Sequence, residues 1–164
     1  MDKLVSRKEI GPLSDQYREE GKTIVLANGA FDVLHVGHVR YLTSAKECGD
    51  VLVVAVNSDR SVRLNKGEGR PVMPDYERAE LLCALSAVDH VLIFDELTVS
   101  EVILELRPHV HCKGTDYTEE SVPEAEIVKS VGGVVRIVGD PKDHDSSGLI
   151  EKINSNIDND AGTP

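Results

Sequence analysis

The sequence is poor in aromatic residues and in basic charge. It contains no tryptophan, and aromatic residues make up 4% of its 164 positions. Lysine and arginine together number 18 against 29 acidic residues, which gives a formal net charge of −11. Proteins that bind nucleic acids need a basic surface, and those that hold single strands also stack bases on aromatic rings. We therefore expect no nucleic-acid partner.

Long apolar runs and a cysteine framework are also missing. No stretch approaches the 18 consecutive apolar residues of a membrane-spanning helix, so no membrane partner is expected. Residues 1–9 lack the apolar core of a signal peptide. Cys48, Cys83 and Cys112 are odd in number and widely spaced, which is typical of reduced thiols rather than disulfides or a metal site. These features predict a cytoplasmic protein.

Strand-like and helix-like segments alternate along the chain. Apolar, β-branched runs predict strands at 22–27, 51–56, 91–94, 110–112 and 134–138. Helices are predicted at 14–20, 37–47, 74–87, 99–106, 123–131 and 147–157, with a long polar loop at 57–74. This alternation predicts an α/β fold, namely a Rossmann-like, doubly wound, parallel five-stranded sheet with helices on both faces.

The stretch from Ala27 to His38 connects the first strand to the first long helix. The backbone N–H groups at a helix start are unpaired and the helix dipole favours negative charge, so this turn is an anion site. His35 and His38 stand on one side of the first helical turn, and Gly37 between them allows close approach of a ligand. We predict a phosphate chain as that ligand. The alternatives are a pair of surface histidines or two ligands of a transition metal.

Polar stretches follow the predicted strands at 28–38, 57–70, 113–117 and 139–147. In parallel α/β sheets, ligands bind beyond the carboxyl ends of the strands, where the strand order reverses. We therefore expect the four stretches to meet at one edge. Five basic residues would concentrate positive charge there against the acidic background: Arg60, Arg63, Lys66, Arg70 and Arg78.

Together these motifs resemble the cytidylyltransferase-like nucleotidyltransferases, whose signature is His-x-Gly-His after a first strand. The resemblance covers residues 21–153 and is closest to the heptose 1-phosphate adenylyltransferases, which occur alone or fused behind a sugar kinase. The matching residues form an ordered series: Asn28-Gly29, Phe31-Asp32, Gly49-Asp50, Asn57-Ser58-Asp59, Lys66-Gly67, Arg70-Pro71, Glu77-Arg78, Val88-Asp89 and Lys113-Gly114-Thr115-Asp116-Tyr117.

The resemblance implies in-line transfer of AMP from ATP to a sugar 1-phosphate, with pyrophosphate as the leaving group. It also implies Mg²⁺ carried mainly by the triphosphate, a homodimer, and a separate heptose kinase that supplies the sugar phosphate. The expected organisation is an N-terminal helical arm at 1–21, a nucleotidyltransferase domain at 22–157 and a disordered tail at 158–164.

Residue roles carried over from the resemblance fall into three sets. The catalytic residues are His35, His38 and Lys66. The nucleotide-binding residues are Ala30, Phe31, His35, His38, Lys66, Arg78, Ser146 and Ser147. The substrate-binding residues are Asn28, Asp32, Asn57, Arg70, Lys113 and Asp116.

Simpler structural roles remain open for several of these residues. Asp32 could hold its turn by accepting backbone N–H groups, Arg78 could pair with Asp75, and Lys66 could be a solvated loop lysine.

The segment before the last helix departs from the family pattern. The family has Ser-Thr-Thr there, whereas this chain has Asp145-Ser146-Ser147, which keeps two hydroxyls but adds a negative charge. Two other functions therefore stay open. One is transfer from CTP to glycerol phosphate or a related alcohol phosphate, and the other is a nucleotide-binding regulator with weak turnover.

Overall fold

One parallel sheet organises the computed structural model, which describes residues 2–140 and 146–160. Its strands are β1 (Ile24–Gly29), β2 (Val51–Asn57), β3 (His90–Phe94), β4 (Val110–Lys113) and β5 (Val134–Ile137). Their order across the sheet is β3-β2-β1-β4-β5, and all neighbouring pairs are parallel. The order reverses between β1 and β4, so the predicted doubly wound sheet is confirmed.

Seven helices lie among the described residues: α1 (Arg7–Glu19), α2 (Val36–Lys46), α3 (Asp59–Lys66), α4 (Asp75–Cys83), α5 (Ser100–Leu106), α6 (Ala125–Ser130) and α7 (Ser146–Asp160). The six apolar residues of β2 are all buried, and they alternate between two apolar clusters. One cluster includes side chains of α1, α5 and α6, and the other includes side chains of α2 and α4. Both faces of the sheet are therefore covered, as a β-branched apolar strand requires.

The stretch predicted as a polar loop at 57–74 contains helix α3. Ser58 begins this helix, because its hydroxyl accepts the N–H of Ser61 at 3.2 Å. Gly67 ends it with φ +88°, a conformation in which glycine meets no steric penalty. Only Ser61 and Val62 of the helix are buried, so the sequence contains no apolar stripe from which the helix could be predicted.

Helix α1 begins at Arg7, seven residues before the expected start at 14. Ser6 and Glu9 form a capping box, in which the Glu9 carboxylate accepts the Ser6 N–H at 2.7 Å. The helix includes Pro12 in its interior. Ile10 is fully buried against the sheet, so α1 packs onto the same core as the rest of the fold.

Two further boundaries differ from those predicted. Helix α4 ends at Cys83 rather than at 87, and α7 continues to Asp160, so the first residues of the expected tail are helical. The domain boundaries expected after residues 21 and 157 stay predictions. No helix among the described residues is long and apolar enough to cross a membrane.

Candidate active site

A cavity of about 660 Å³ opens at the carboxyl edge of the sheet, where the strand order reverses. Its volume is in the range of small-molecule sites. All four stretches predicted from the sequence contribute to its lining, and so does the segment after β3, through Leu97 and Thr98. Most of the predicted site residues line it: Asn28, Ala30, Phe31, Asp32, His35, His38, Asn57, Lys66, Arg70, Lys113 and Asp116.

The side chains of His35 and His38 cap the first turn of α2. His35 is the N-cap residue, and its Nδ1 accepts the N–H of Gly37 at 3.2 Å. The Nδ1 of His38 accepts the N–H of His35 at 3.4 Å, and the rings stack with centroids 3.8 Å apart. A neutral imidazole that accepts at Nδ1 carries its proton on Nε2. Both histidines therefore present an Nε2–H donor, which is the group that a phosphate oxygen requires.

Burial is the main reason that His38 stays uncharged. Together with the smaller effects of the neighbouring His35 and Lys66, burial lowers the pKa of His38 to about 4. The ring edge of Phe31 also packs against His38, with centroids 5.3 Å apart. His38 is thus a neutral donor at physiological pH, held in place by a ring contact and a helix cap.

The turn that precedes α2 has an unusual backbone. Phe31 and Val33 have φ angles of 48° and 58°, in the left-handed region that bulky side chains avoid. Between them, the carboxylate of Asp32 accepts the N–H groups of Val72 at 2.9 Å and of Met73 at 3.1 Å. These bonds hold the strained turn in position. They support the structural role considered for Asp32, which is 2% exposed.

Arg70 extends the contacts of Asp32 towards the cavity. Its guanidinium forms an ion pair with the Asp32 carboxylate at 3.2 Å, and Arg70 itself lines the cavity. The contact thus joins the segment before α4 to the turn after β1.

The structure corrects the position expected for Arg78. This side chain is 1% exposed and does not line the cavity. Its guanidinium donates to the carbonyl of Met73 at 2.9 Å, to the carbonyl of Ala30 at 2.5 Å and to the carboxylate of Asp59 at 2.8 Å. Arg78 therefore holds the turn around Ala30 from behind, and its ionic partner is Asp59 rather than Asp75.

Lys66 and Asn57 approach the cavity from the β2 side. Lys66 is the last residue of α3, and its charge is close enough to lower the pKa of His38. The Asn57 amide donates to the Ser61 hydroxyl at 2.9 Å, which links the end of β2 to the first turn of α3. The unpredicted helix α3 is thus what positions both residues.

A buried polar cluster forms the opposite wall, after β4. The Oδ1 atom of Asn28 accepts hydrogen bonds from Nζ of Lys113 at 3.0 Å and from Nε2 of His111 at 3.1 Å. Glu124 forms an ion pair with Lys113 at 3.4 Å. Burial lowers the pKa of Lys113, and the Glu124 carboxylate opposes this shift. Burial also lowers the pKa of His111 to about 3, so this histidine is neutral.

Tyr41, Arg40 and Asp140 are among the lining residues that were not predicted as site residues from the sequence. The Tyr41 hydroxyl donates to the carbonyl of Cys112 at 2.7 Å, and burial raises the pKa of this phenol. At the rim, Arg40 and Asp140 form an ion pair at 2.8 Å. Tyr41 and Arg40 lie within α2, and the sequence did not single them out because a tyrosine or arginine within a helix carries no signal of its own.

Asp145 lies outside the described residues. Ser146 and Ser147 are the first two residues of α7, and their side chains are likewise not described. Their predicted contacts to the nucleotide stay predictions. Within 2–140 and 146–160, no group of three or more histidine, cysteine or acidic side chains is arranged to hold a metal ion.

The sequence is similar to those of known proteins. The family model described as cytidylyltransferase-like matches residues 26–153. The chain is 49% identical over 150 residues to the bifunctional protein HldE of Koribacter versatilis and 44% identical over 151 residues to that of Pelobacter propionicus. Each match covers 92% of this chain and 31% of the relative, so the chain spans about a third of the length of these curated relatives.

A solved structure is also similar. The lipopolysaccharide core biosynthesis protein from Thermoplasma volcanium GSS1 superposes with a TM-score of 0.61 at 32% identity. The match covers 72% of this chain and 95% of the other.

Proposed function

The chain belongs to the cytidylyltransferase-like family of nucleotidyltransferases, and on this basis we propose that it transfers AMP from ATP to heptose 1-phosphate. The products would be ADP-heptose and pyrophosphate. The ordered motif series after the strands supports this sugar and this nucleotide. The similarity to a protein named for lipopolysaccharide core biosynthesis is in keeping with a sugar nucleotide as product.

The paired Nε2–H donors at the start of α2 are the observation on which the proposal depends. In the proposed reaction, an oxygen of the sugar phosphate attacks the α-phosphorus of ATP in line, and the pyrophosphate oxygen leaves. The attacking phosphate is already ionised at neutral pH, so no general base is needed. Catalysis then consists of positioning the phosphates and of stabilising the charge that develops on them.

Three side chains would supply that stabilisation. His35 and His38 donate Nε2–H to the phosphate oxygens, and Lys66 contributes a full positive charge from the α3 side. The dipole of α2, whose positive end lies at this turn, adds a further positive potential. Ser146 and Ser147, at the start of α7, are proposed to contact the same phosphates.

We propose that the sugar phosphate is held by five residues that line the cavity, namely Asn28, Asn57, Arg70, Lys113 and Asp116. Asp32 would act on the substrate only through the turn and the Arg70 side chain that it holds. Mg²⁺ is proposed to enter with the triphosphate, where it neutralises phosphate charge.

A pyrophosphate-release assay tests the proposal. The purified protein is supplied with Mg²⁺ and either ATP or CTP, against heptose 1-phosphate, glycerol phosphate and related sugar and alcohol phosphates. The proposal predicts release with ATP and heptose 1-phosphate. Release only with CTP and an alcohol phosphate would keep the chemistry and overturn the named substrates. ATP binding with no release from any pair would favour the regulator.

A further inference from the structure

Glu124 is a buried acidic residue at the cavity wall that the proposed reaction does not use. It is 5% exposed and lies immediately before α6, on the β4 side of the cavity. Its side chain does not cap that helix. A carboxylate in this position needs hydrogen-bond donors, because burial without them is costly.

The described residues do not satisfy this carboxylate. Its only ion pair among them joins Oε2 to Nζ of Lys113 at 3.4 Å, a contact that lacks the geometry of a hydrogen bond. Lys113 directs a shorter bond, of 3.0 Å, to Asn28 instead. The cavity wall thus contains a fixed negative acceptor with an incomplete shell, next to a fixed positive charge.

Charge decides which ligand group would complete that shell. A phosphate oxygen is repelled by the carboxylate and belongs beside Lys113, whereas a hydroxyl can donate a hydrogen bond to the carboxylate without charge repulsion. A ligand that carries a phosphate and hydroxyls on one small ring would satisfy both residues together.

We propose that Glu124 binds a hydroxyl group of a sugar ring, and that it selects substrates for that hydroxyl. This inference rests on the proposed function, because the two candidate sugar rings are those of the proposed substrates. They are the ribose of ATP and the heptose of the sugar phosphate. Both present neighbouring hydroxyls close to a phosphate. The carboxylate would accept one or two of these hydroxyls, as buried carboxylates with charge-assisted bonds do.

The competing explanation is that Glu124 only neutralises Lys113 and ties α6 to the end of β4. In that case its removal would lower stability and would affect both substrates alike. A ligand-binding role instead predicts that the effect falls on one substrate and vanishes when that substrate lacks the hydroxyl.

The first variant to test is Glu124→Gln, with Glu126→Gln, two residues further along in the first turn of α6, as its control. Glu126 pairs with Lys129 at the surface and does not line the cavity. Dissociation constants for ATP and for heptose 1-phosphate are measured by calorimetry, together with the KM of each substrate. We expect Glu124→Gln to raise the constants of one substrate roughly tenfold or more, with those of the other within threefold and with Glu126→Gln unchanged.

Deoxy analogues identify the source of the hydroxyl. If it is the ribose, wild-type protein binds 2′-deoxy-ATP or 3′-deoxy-ATP more weakly than ATP, and Glu124→Gln does not discriminate among them. If it is the heptose, the loss falls on heptose 1-phosphate, and the deoxy nucleotides bind both proteins equally. Equal effects on both substrates, or none on either, would overturn the proposal.

Two further measurements separate the possible failures. Glu124→Asp keeps the charge that compensates Lys113 but retracts the carboxylate by one methylene group, so it replaces Glu124→Gln if that variant does not fold. Wild-type protein that binds ATP but releases no pyrophosphate with heptose 1-phosphate would refute the proposed function alone, since the binding constants still test Glu124. An active enzyme with unchanged constants in both variants would refute the Glu124 proposal alone.

Discussion

Under the proposed function, each of the paired histidines in α2 combines a structural and a chemical role in one ring. Nδ1 accepts a backbone N–H at the start of the helix, which fixes the tautomer and the orientation of the ring. Nε2–H is then fixed as a donor. Because one ring nitrogen is needed for the cap and the other for the ligand, alanine would remove both functions, whereas asparagine can replace the cap alone.

His38→Asn tests the chemical role by itself. The asparagine Oδ1 can still accept the N–H of His35, so the melting temperature should stay within a few degrees of wild type. Loss of a preorganised donor to the phosphates should lower kcat about 100-fold or more in the pyrophosphate-release assay. Normal turnover with heptose 1-phosphate would refute the assignment of His38.

Residue-level prediction succeeded where the partners are close in sequence and failed where they are distant. The spacing of His35 and His38 reveals their common face, because it follows from one helical turn. By contrast, nothing near Glu124 or Arg78 indicates their partners, which lie 11 residues away in Lys113 and 48 residues away in Ala30. Arg78 was therefore given to the nucleotide, and Glu124 was not considered.

At the scale of elements, the predictable helices and strands are those that bury an apolar pattern. β2 was evident as a strand because its six apolar residues pack in both clusters. Helix α3 was missed because its polar residues serve the cavity and only one apolar side chain, Val62, is buried. A helix that lines a cavity with polar residues gives a weak sequence signal for this physical reason.

Helix α3 provides a matched pair of variants. Lys66 and Arg63 are both exposed cations of its last turn, but only Lys66 lines the cavity. Lys66→Ala should reduce kcat at least tenfold, while Arg63→Ala should leave it within twofold, and neither should change the melting temperature appreciably.

The same variant also reports on His38. Lys66→Ala should raise the pKa of His38 from its value of about 4, because the Lys66 charge is one of its causes. NMR titration of the ring would detect the rise, and an unchanged pKa would show that Lys66 does not act at this site.

The contacts of Arg78 join three segments, namely the turn after β1 through Ala30, α3 through Asp59 and the segment before α4 through Met73. Lysine cannot reproduce this planar arrangement of donors. Arg78→Lys should therefore lower the free energy of unfolding by about 3 kcal/mol or more, as expected when a buried charged network is broken. The exposed Arg60→Lys is the control, and urea unfolding gives both values. A neutral effect on stability with weaker ATP binding would instead restore Arg78 to the nucleotide.

For the whole molecule, buried neutral histidines make stability depend on pH. Burial lowers the pKa of His38 to about 4 and that of His111 to about 3, from an ordinary value near 6.5. The unfolded chain therefore binds more protons than the folded one below pH 6.5, and stability falls as the pH is lowered through this range. The contribution of these histidines to the free energy of unfolding is fully present above pH 6.5. It is lost as the pH falls towards their pKa values in the folded protein.

Urea unfolding at pH 5 and pH 7 measures this dependence. Each such histidine contributes a slope of up to about 1.4 kcal/mol per pH unit. His111→Gln keeps an amide to meet Asn28 and removes the titrating group, so its stability should change less between the two pH values than that of wild type. An identical dependence in both proteins would contradict the assignment of a neutral buried His111.

The reciprocal cap at the start of α2 also couples occupancy of the site to the order of the helix. An imidazole whose Nε2–H donates to an anion becomes a stronger acceptor at Nδ1, because hydrogen bonds in series polarise one another. Bound phosphate would thus tighten the bonds from the amides of Gly37 and His35. Hydrogen–deuterium exchange at these two amides should slow on nucleotide binding, which would make the backbone itself a reporter of ligand.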